Sequence, residues 1–412
     1  MRPHSLSLLV VIACAVLPPT PAAAQVRPGI EVLLSDSIGV VAGKRVALLT
    51  NQTGVDRLGR RDIDLLRGTP GVRLVVILSP EHGLRGTEDR PGLPDAVDSA
   101  SGLPIYSLYG GTRLAEIGTL DSVDVVLVDL QDVGARYYSY PPTAVLLLQE
   151  AGRRGKPVVV LDRPNPIGGV AVQGNVAGGR RPVERVADFL PVAMRHGMTI
   201  GELVRLANDV LGIYARLTVV PALGWRRAMF YDDTGLPWVR PSPNLRDLES
   251  AIHYSGTCLF EGTNLSVGRG TGLEFQVVGA PWLDTAAVLS RLRVWGPWAQ
   301  NALTGVEVSG VTFTPRAPTD GKYADVEVRG IRLRVTDRRR YDPTRAAILM
   351  LGAIRAAHPD SLRFDDARFD RLAGGSELRR ATVAGSVGEA VWGSWNGRLA
   401  RFQRVRAKYL LY

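Results

Sequence analysis

Glu81 and His82 stand side by side in SPEHGLRG (79–86), a carboxylate and an imidazole held between a proline and two glycines. A glutamate at the mouth of a buried strand can be partly desolvated, which is the setting that suits a carboxyl to protonating a leaving group. Glu88 and Asp89 follow in the same loop, and either could be the second carboxylate that glycoside hydrolysis commonly uses. The structural alternatives are a loop cap, a Glu81–Arg85 pair and ordinary surface charge. In DLQDVGARYYSYPP (129–142), Asp132 is a further candidate acid. Arg136 could grip a carboxylate through its planar fork, and Tyr137, Tyr138 and Tyr140 could stack on a sugar face. Core tyrosines and an Asp132–Arg136 pair account for the same residues without a ligand. DRPNPIGG (162–169) sets Arg163 and Asn165 in a loop stiffened by two prolines, and Asn51 opens the turn NQTG (51–54). His196 lies in RHGMT, and the glycine-rich FEGTNLSVGRGTG (260–272) carries Glu261, Asn264 and Arg269, in the manner of a loop that covers a ligand.

Four of these clusters each follow an apolar run: RVALLT (45–50), VRLVVILS (72–79), VDVVLVDL (123–130) and PVVVLD (157–162). Continuous Val/Ile/Leu runs separated by room for a helix read as parallel strands buried on both faces. In such sheets ligands bind beyond the carboxyl ends of the strands, so the clusters are expected to converge on one cleft. Helices are expected near 61–68, 113–120, 143–154 and 200–212, the last opened by a capping box of Thr199 and Glu202. Prolines and tryptophans break any period across 222–244. Beyond them, helices near 284–294, 344–357 and 387–405 accompany strand-like 305–316 and 323–337. The architecture is therefore α/β: a Rossmann-like parallel-sheet catalytic domain over 25–222, then a smaller α+β domain over 223–412 that completes the cleft.

Residues 1–24 read as an export signal, with Arg2, an apolar stretch from Leu6 to Leu17 and Ala22-Ala23-Ala24 ahead of the cut. The protein is then periplasmic or extracellular; a lipid anchor on Cys14 is the alternative. No later stretch is long and apolar enough to span a membrane. With two cysteines in the whole chain, a disulfide framework is excluded. The net charge of +10 suits an anionic envelope polymer, nucleic acid being out of place after export, or else reflects arginine across a solvated surface.

Several other chemistries lack their residues. The turn NQTGVD is not the G-x-G-x-x-G of a dinucleotide site, so no cofactor is expected. Five histidines without H-E-x-x-H spacing give no zinc site. AGSVG (384–388) faintly echoes a nucleophile elbow, yet Ser386 with Glu389 reads better as the capping box of a last helix.

Taken together, LLTNQTGVD, SPEHGLRG, DLQDVGARYYSY, LDRPNPIGG, RHGMTIGEL, SPNL, FEGTNLSVGRGTG with GAPW, and YLLY resemble a family of bacterial exo-β-N-acetylmuramidases, glycoside hydrolases of peptidoglycan. The pieces run in order across nearly the whole mature chain. The resemblance implies a Rossmann-like domain, a smaller carboxy-terminal domain and a cleft between them. It also implies release of N-acetylmuramic acid from the non-reducing ends of peptidoglycan fragments, with Glu81 as the acid and Asn244 of SPNL among the substrate-binding residues. The lactyl carboxylate of muramic acid would need a cation, for which Arg163, Arg136 and Arg269 are candidates. The sequence departs from the family in the arginine-rich stretch after VQGNV and at Leu273-Glu274. Two rival readings remain: a non-catalytic muropeptide-binding protein, and an esterase or amidase using Ser386.

Overall fold

The structure, a computed structural model, describes residues 25–89, 92–108, 118–177, 190–294, 296–386 and 388–412. The expected export signal, most of the helix near 113–120 and much of the arginine-rich stretch after VQGNV lie outside the described residues.

The four apolar runs form β1 (Arg45–Thr50), β2 (Arg73–Ser79), β5 (Val125–Asp129) and β6 (Val158–Leu161) of a seven-stranded sheet. It is extended by β3 (Ala96–Val97) and β4 (Pro104–Ser107) on one side and β9 (Leu217–Val220) on the other, in the order β3-β4-β2-β1-β5-β6-β9. All its pairings are parallel except β3 with β4. Strand side chains alternate between faces. Val46 and Leu48 of β1 therefore join one buried cluster with Ile30, Leu33, Ile63 and Leu66, from α1 (Gly29–Asp36) and α2 (Asp62–Arg67). Ala47 and Leu49 join the other, with Val145, Leu148, Leu203 and Val204 from α3 (Tyr140–Arg153) and α4 (Ile200–Val210). Each aliphatic side chain buried this way contributes about 1.5–3 kcal/mol before entropy is counted, and that two-sided burial is why the strands read as unbroken apolar runs. The capping box of Thr199 and Glu202 opens α4 as expected. The chain steps outward from β1 to β2 and β4, then returns to β5, so its direction switches between β1 and β5, where a crevice opens beyond the strand ends.

After a two-stranded pair, β7 (Gln173–Val176) with β8 (Ala193–Arg195), and the loop following β9, the chain enters α5 (Leu248–Thr257), capped by Asp247 and buried on nearly every side. A second sheet of order β10-β12-β11 is built from Val277–Ala280, Val328–Val335 and Val306–Phe313, all antiparallel. Against it packs α6 (Thr285–Val294), on which α7 (Gly296–Ala302) and α8 (Pro343–Ala357) pack in turn, α8 also lying against α5. Four short helices follow: α9 (Asp366–Ala373), α10 (Glu377–Val383), α11 (Glu389–Ser394) and α12 (Asn396–Arg406). The single helix expected over 387–405 is thus two. Ser386 forms no capping box: Gly388 is the N-cap of α11, without a side-chain bond, while the Ser386 hydroxyl donates back to the Ala381 carbonyl.

Candidate active site

A cleft of about 460 Å³ opens between the two halves of the chain, lined from the first by Glu81, His82, Asp89 and Tyr137 and from the second by Asn244, Tyr254, Glu261, Arg269 and Arg368, among others. Glu81 sits just past the carboxyl end of β2, after Pro80. His82 has φ +70° and Gly83 +72°, so the backbone makes two consecutive left-handed steps. Only glycine adopts that region freely, and a histidine held there costs about 1–3 kcal/mol. The turn is secured by Nδ1 of His82 against the Glu88 carbonyl (2.7 Å) and by the Glu88 amide donating to the His82 carbonyl (3.3 Å). A carbonyl only accepts, so Nδ1 carries the proton. The turn leaves the half-buried Glu81 carboxylate without a hydrogen-bond partner among the described residues.

Beside it, Asp89 accepts from the Asn244 amide (2.9 Å) and from Arg269 Nη1 (3.2 Å). Burial alone would raise its carboxyl, but Thr319, Arg269, His82 and Asn244 overcome this and hold it below the ordinary value. Arg269 gives Nε and Nη2 to Glu261 Oε1 (2.8 and 2.6 Å), while Arg368 Nη2 donates to Glu261 Oε2 (2.8 Å). Burial pushes the Glu261 carboxyl up, and the two guanidiniums more than reverse that. A polar chain Asn244–Asp89–Arg269–Glu261–Arg368 therefore crosses the cleft.

An aromatic wall completes it. Tyr254 meets both Tyr137 (centroids 5.9 Å) and Phe275 (4.7 Å) edge-on, and Phe275 holds φ +65°. Tyr138 and Tyr140 both donate to the Pro241 carbonyl, at 2.7 and 2.8 Å. Burial raises the phenols of Tyr137 and Tyr138, which therefore serve as neutral donors and apolar faces.

Of the residues singled out in the sequence, Glu81, His82, Asp89, Tyr137, Tyr138, Asn244, Glu261 and Arg269 meet in this cleft. Others lie behind it. Asn51 donates to the Tyr140 hydroxyl (2.7 Å) and so braces the tyrosine wall. Arg163 is buried at the switch point, paired with Asp129 through Nη2 (3.0 Å) and donating to the Val55 carbonyl. Arg136 is also buried, donating to the carbonyls of Asn175, Val192 and Leu372. Asn165 bridges the Met198 carbonyl and the Ile167 amide. Asp132 and His196 form a buried pair (3.3 Å) whose partners are the Gly134 and Met198 amides. Asn264 clips the Ser361 carbonyl and the Arg363 amide, and Glu88 is exposed on the loop flank. Sequence reasoning missed Tyr254, Thr319, Asp320 and Arg368. No local pattern marks them, since each reaches the cleft only through tertiary docking. Among the described residues no group of His, Cys, Asp and Glu is arranged to hold a metal ion, and no helix is long and apolar enough to cross a membrane.

Residues 46–249 match the family model for the N-terminal part of exo-β-N-acetylmuramidase NamZ, and residues 252–412 match that for its C-terminal part. The chain is 36% identical, over 94% of its length and 92% of the relative's, to the peptidoglycan β-N-acetylmuramidase NamZ of Bacillus subtilis. Crystal structures of two DUF1343 family proteins from Bacteroides fragilis are similar to it. One has TM-score 0.84 at 31% identity, covering 95% of this chain and 100% of that one. The other has TM-score 0.75 at 28% identity, covering 94% and 99%. With both halves matched in order, the chain belongs to the exo-β-N-acetylmuramidase NamZ family.

Proposed function

We propose that the protein is an exo-acting glycoside hydrolase that releases N-acetylmuramic acid from the non-reducing end of peptidoglycan fragments, with Glu81 as general acid. The observation that carries this reading is the Glu81 carboxylate itself. It lines the cleft without a hydrogen-bond partner among the described residues, whereas Asp89 and Glu261 are both bound to Arg269. Glu81 gives its proton to the glycosidic oxygen as the bond to the sugar carbon breaks. The positive charge developing at that carbon is met either by the substrate's own acetamido oxygen or by a second carboxylate. Asp320 is the candidate for the latter, since it lines the cleft and its buried Oδ2 has no partner among the described residues. The aromatic wall of Tyr137, Tyr254 and Phe275 packs against a sugar ring. Export by residues 1–24 would put the enzyme beside the wall, in the service of its turnover and recycling.

The test is incubation of the mature protein, and of Glu81→Gln, with a chromogenic N-acetylmuramic acid β-glycoside and its N-acetylglucosamine counterpart. Release from the muramic substrate, lost in the variant, is the expected result. Saturable binding of both proteins to muropeptides with no turnover by either would make this a binding protein instead.

A further inference from the structure

Muramic acid differs from glucosamine by a lactyl ether ending in a carboxylate, and an exo-enzyme selective for it needs a cation with unused donors inside the cleft. The cations named from the sequence do not offer them. Arg163 and Arg136 are buried behind the cleft and committed to Asp129 and to main-chain carbonyls. Arg269 lines the cleft, yet Nε and Nη2 go to Glu261 while Nη1 goes to Asp89 and Thr319. Lys322, close by, gives its ammonium to the carbonyls of Phe260, Glu261 and Leu265.

Arg368 is different. It lines the same cleft, its side chain is 38% exposed, and its one side-chain bond is Nη2 to Glu261 Oε2, which leaves Nε and Nη1 without partners among the described residues. Its position is fixed from two sides. The Asp365 side chain caps α9 by accepting from the Arg368 amide, and the next residue, Phe369, is fully buried against Gly262. A Cβ at Gly262 would stand 2.6 Å from the Phe369 Cα, so only glycine lets α9 approach this closely. That contact sets Arg368 against Glu261, and Glu261 in turn aims the guanidinium.

Resting on the hydrolase reading above, we propose that Arg368 is the residue that selects muramic acid, binding the lactyl carboxylate through its unused donors. The Asp320 carboxylate, which also lines the cleft, repels an anion, so the lactyl group is directed to Arg368 and orients the sugar as it docks.

The test compares steady-state kinetics on a chromogenic N-acetylmuramic acid β-glycoside and on the same glycoside with its lactyl carboxylate methyl-esterified, which removes the charge and little else. Wild type is expected to show a KM for the ester about 10- to 100-fold above that for the acid, the range a charge-assisted hydrogen bond supports. Arg368→Ala should bring the KM for the acid up to that for the ester with kcat changed far less, and Arg368→Lys should recover part of the preference. Glu261 keeps both bonds to Arg269 in these variants, and an unchanged melting temperature checks the fold. A preference for the acid that survives in Arg368→Ala, or no preference in wild type, overturns the assignment and leaves the hydrolase standing. No turnover of either glycoside by wild type overturns both.

Discussion

Asp89 and Arg269 meet at 3.2 Å across the cleft, one from the loop after β2 and the other from the glycine-rich loop of the second half, 180 residues apart in sequence. The pair closes the site from both halves beside Glu81, and it cannot form unless the two halves are docked. A binding site made this way is as rigid as the contact that makes it.

Asp89→Asn should therefore loosen the docking. The pair is partly open to solvent, so its loss is discounted to about 1 kcal/mol, a drop of a few degrees in melting temperature, with a larger rise in KM than fall in kcat. The pH dependence has a definite sign. The folded-state pKa of Asp89 is depressed, so its stabilisation is present above the ordinary carboxylate pKa and is lost as pH falls through the lower folded value. Acid titration monitored by circular dichroism should show the two proteins converging in stability below about pH 4. A constant difference down to the lowest pH would mean the pair adds nothing through ionisation.

Glu81→Gln should lower kcat by about 100- to 10,000-fold, the usual contribution of a general acid. Because the Glu81 carboxylate has no partner among the described residues, the melting temperature should stay unchanged. A fall in melting temperature matching the loss of activity would point to a structural glutamate.

The parallel sheet could be read from the sequence because two-sided burial leaves unbroken aliphatic runs, and Glu81 because the residue after such a strand faces the crevice. Arg163 and Arg136 looked equally well placed, but a sequence does not reveal that Asp129 and main-chain carbonyls claim their donors. The helix α5 escaped notice because it is buried all round, and a helix without a polar face carries little amphipathic period. Arg368 reaches Glu261 over 107 residues and sits in FDDARFDRL, which reads as an ordinary polar helix. What such a side chain does is decided by the docking of α9 on Gly262.

Ser386→Ala should leave turnover of every substrate within about twofold, as expected of an exposed surface position. Among the described residues the exposed Ser386 hydroxyl bonds only to the Ala381 carbonyl, and it lies outside the cleft lining. Loss of activity in this variant, with the fold intact, would revive an esterase or amidase and displace Glu81.

Asp162 carries a pH response that is separate from the cleft. It is fully buried and accepts from Thr199 Oγ1 (2.6 Å), Tyr412 Oη (2.7 Å) and the amides of Gly201 (2.8 Å) and Arg163 (3.0 Å). Burial pushes its pKa up to about 6, Glu202 adds to this, and the Thr199 and Tyr412 hydroxyls partly offset it. A raised folded-state pKa means the folded protein binds the proton more tightly than the unfolded chain. The resulting stabilisation is complete below about pH 4 and fades as pH rises through about 6, by roughly 2–3 kcal/mol in all. The melting temperature should therefore carry a falling component between pH 4 and 6 that Asp162→Asn removes. Tyr412→Phe deletes a hydroxyl that favours the ionised form, so it should move that component to higher pH, besides costing about 1 kcal/mol for a lost hydrogen bond. An identical slope between pH 4 and 6 in wild type and Asp162→Asn would assign the titration to another group.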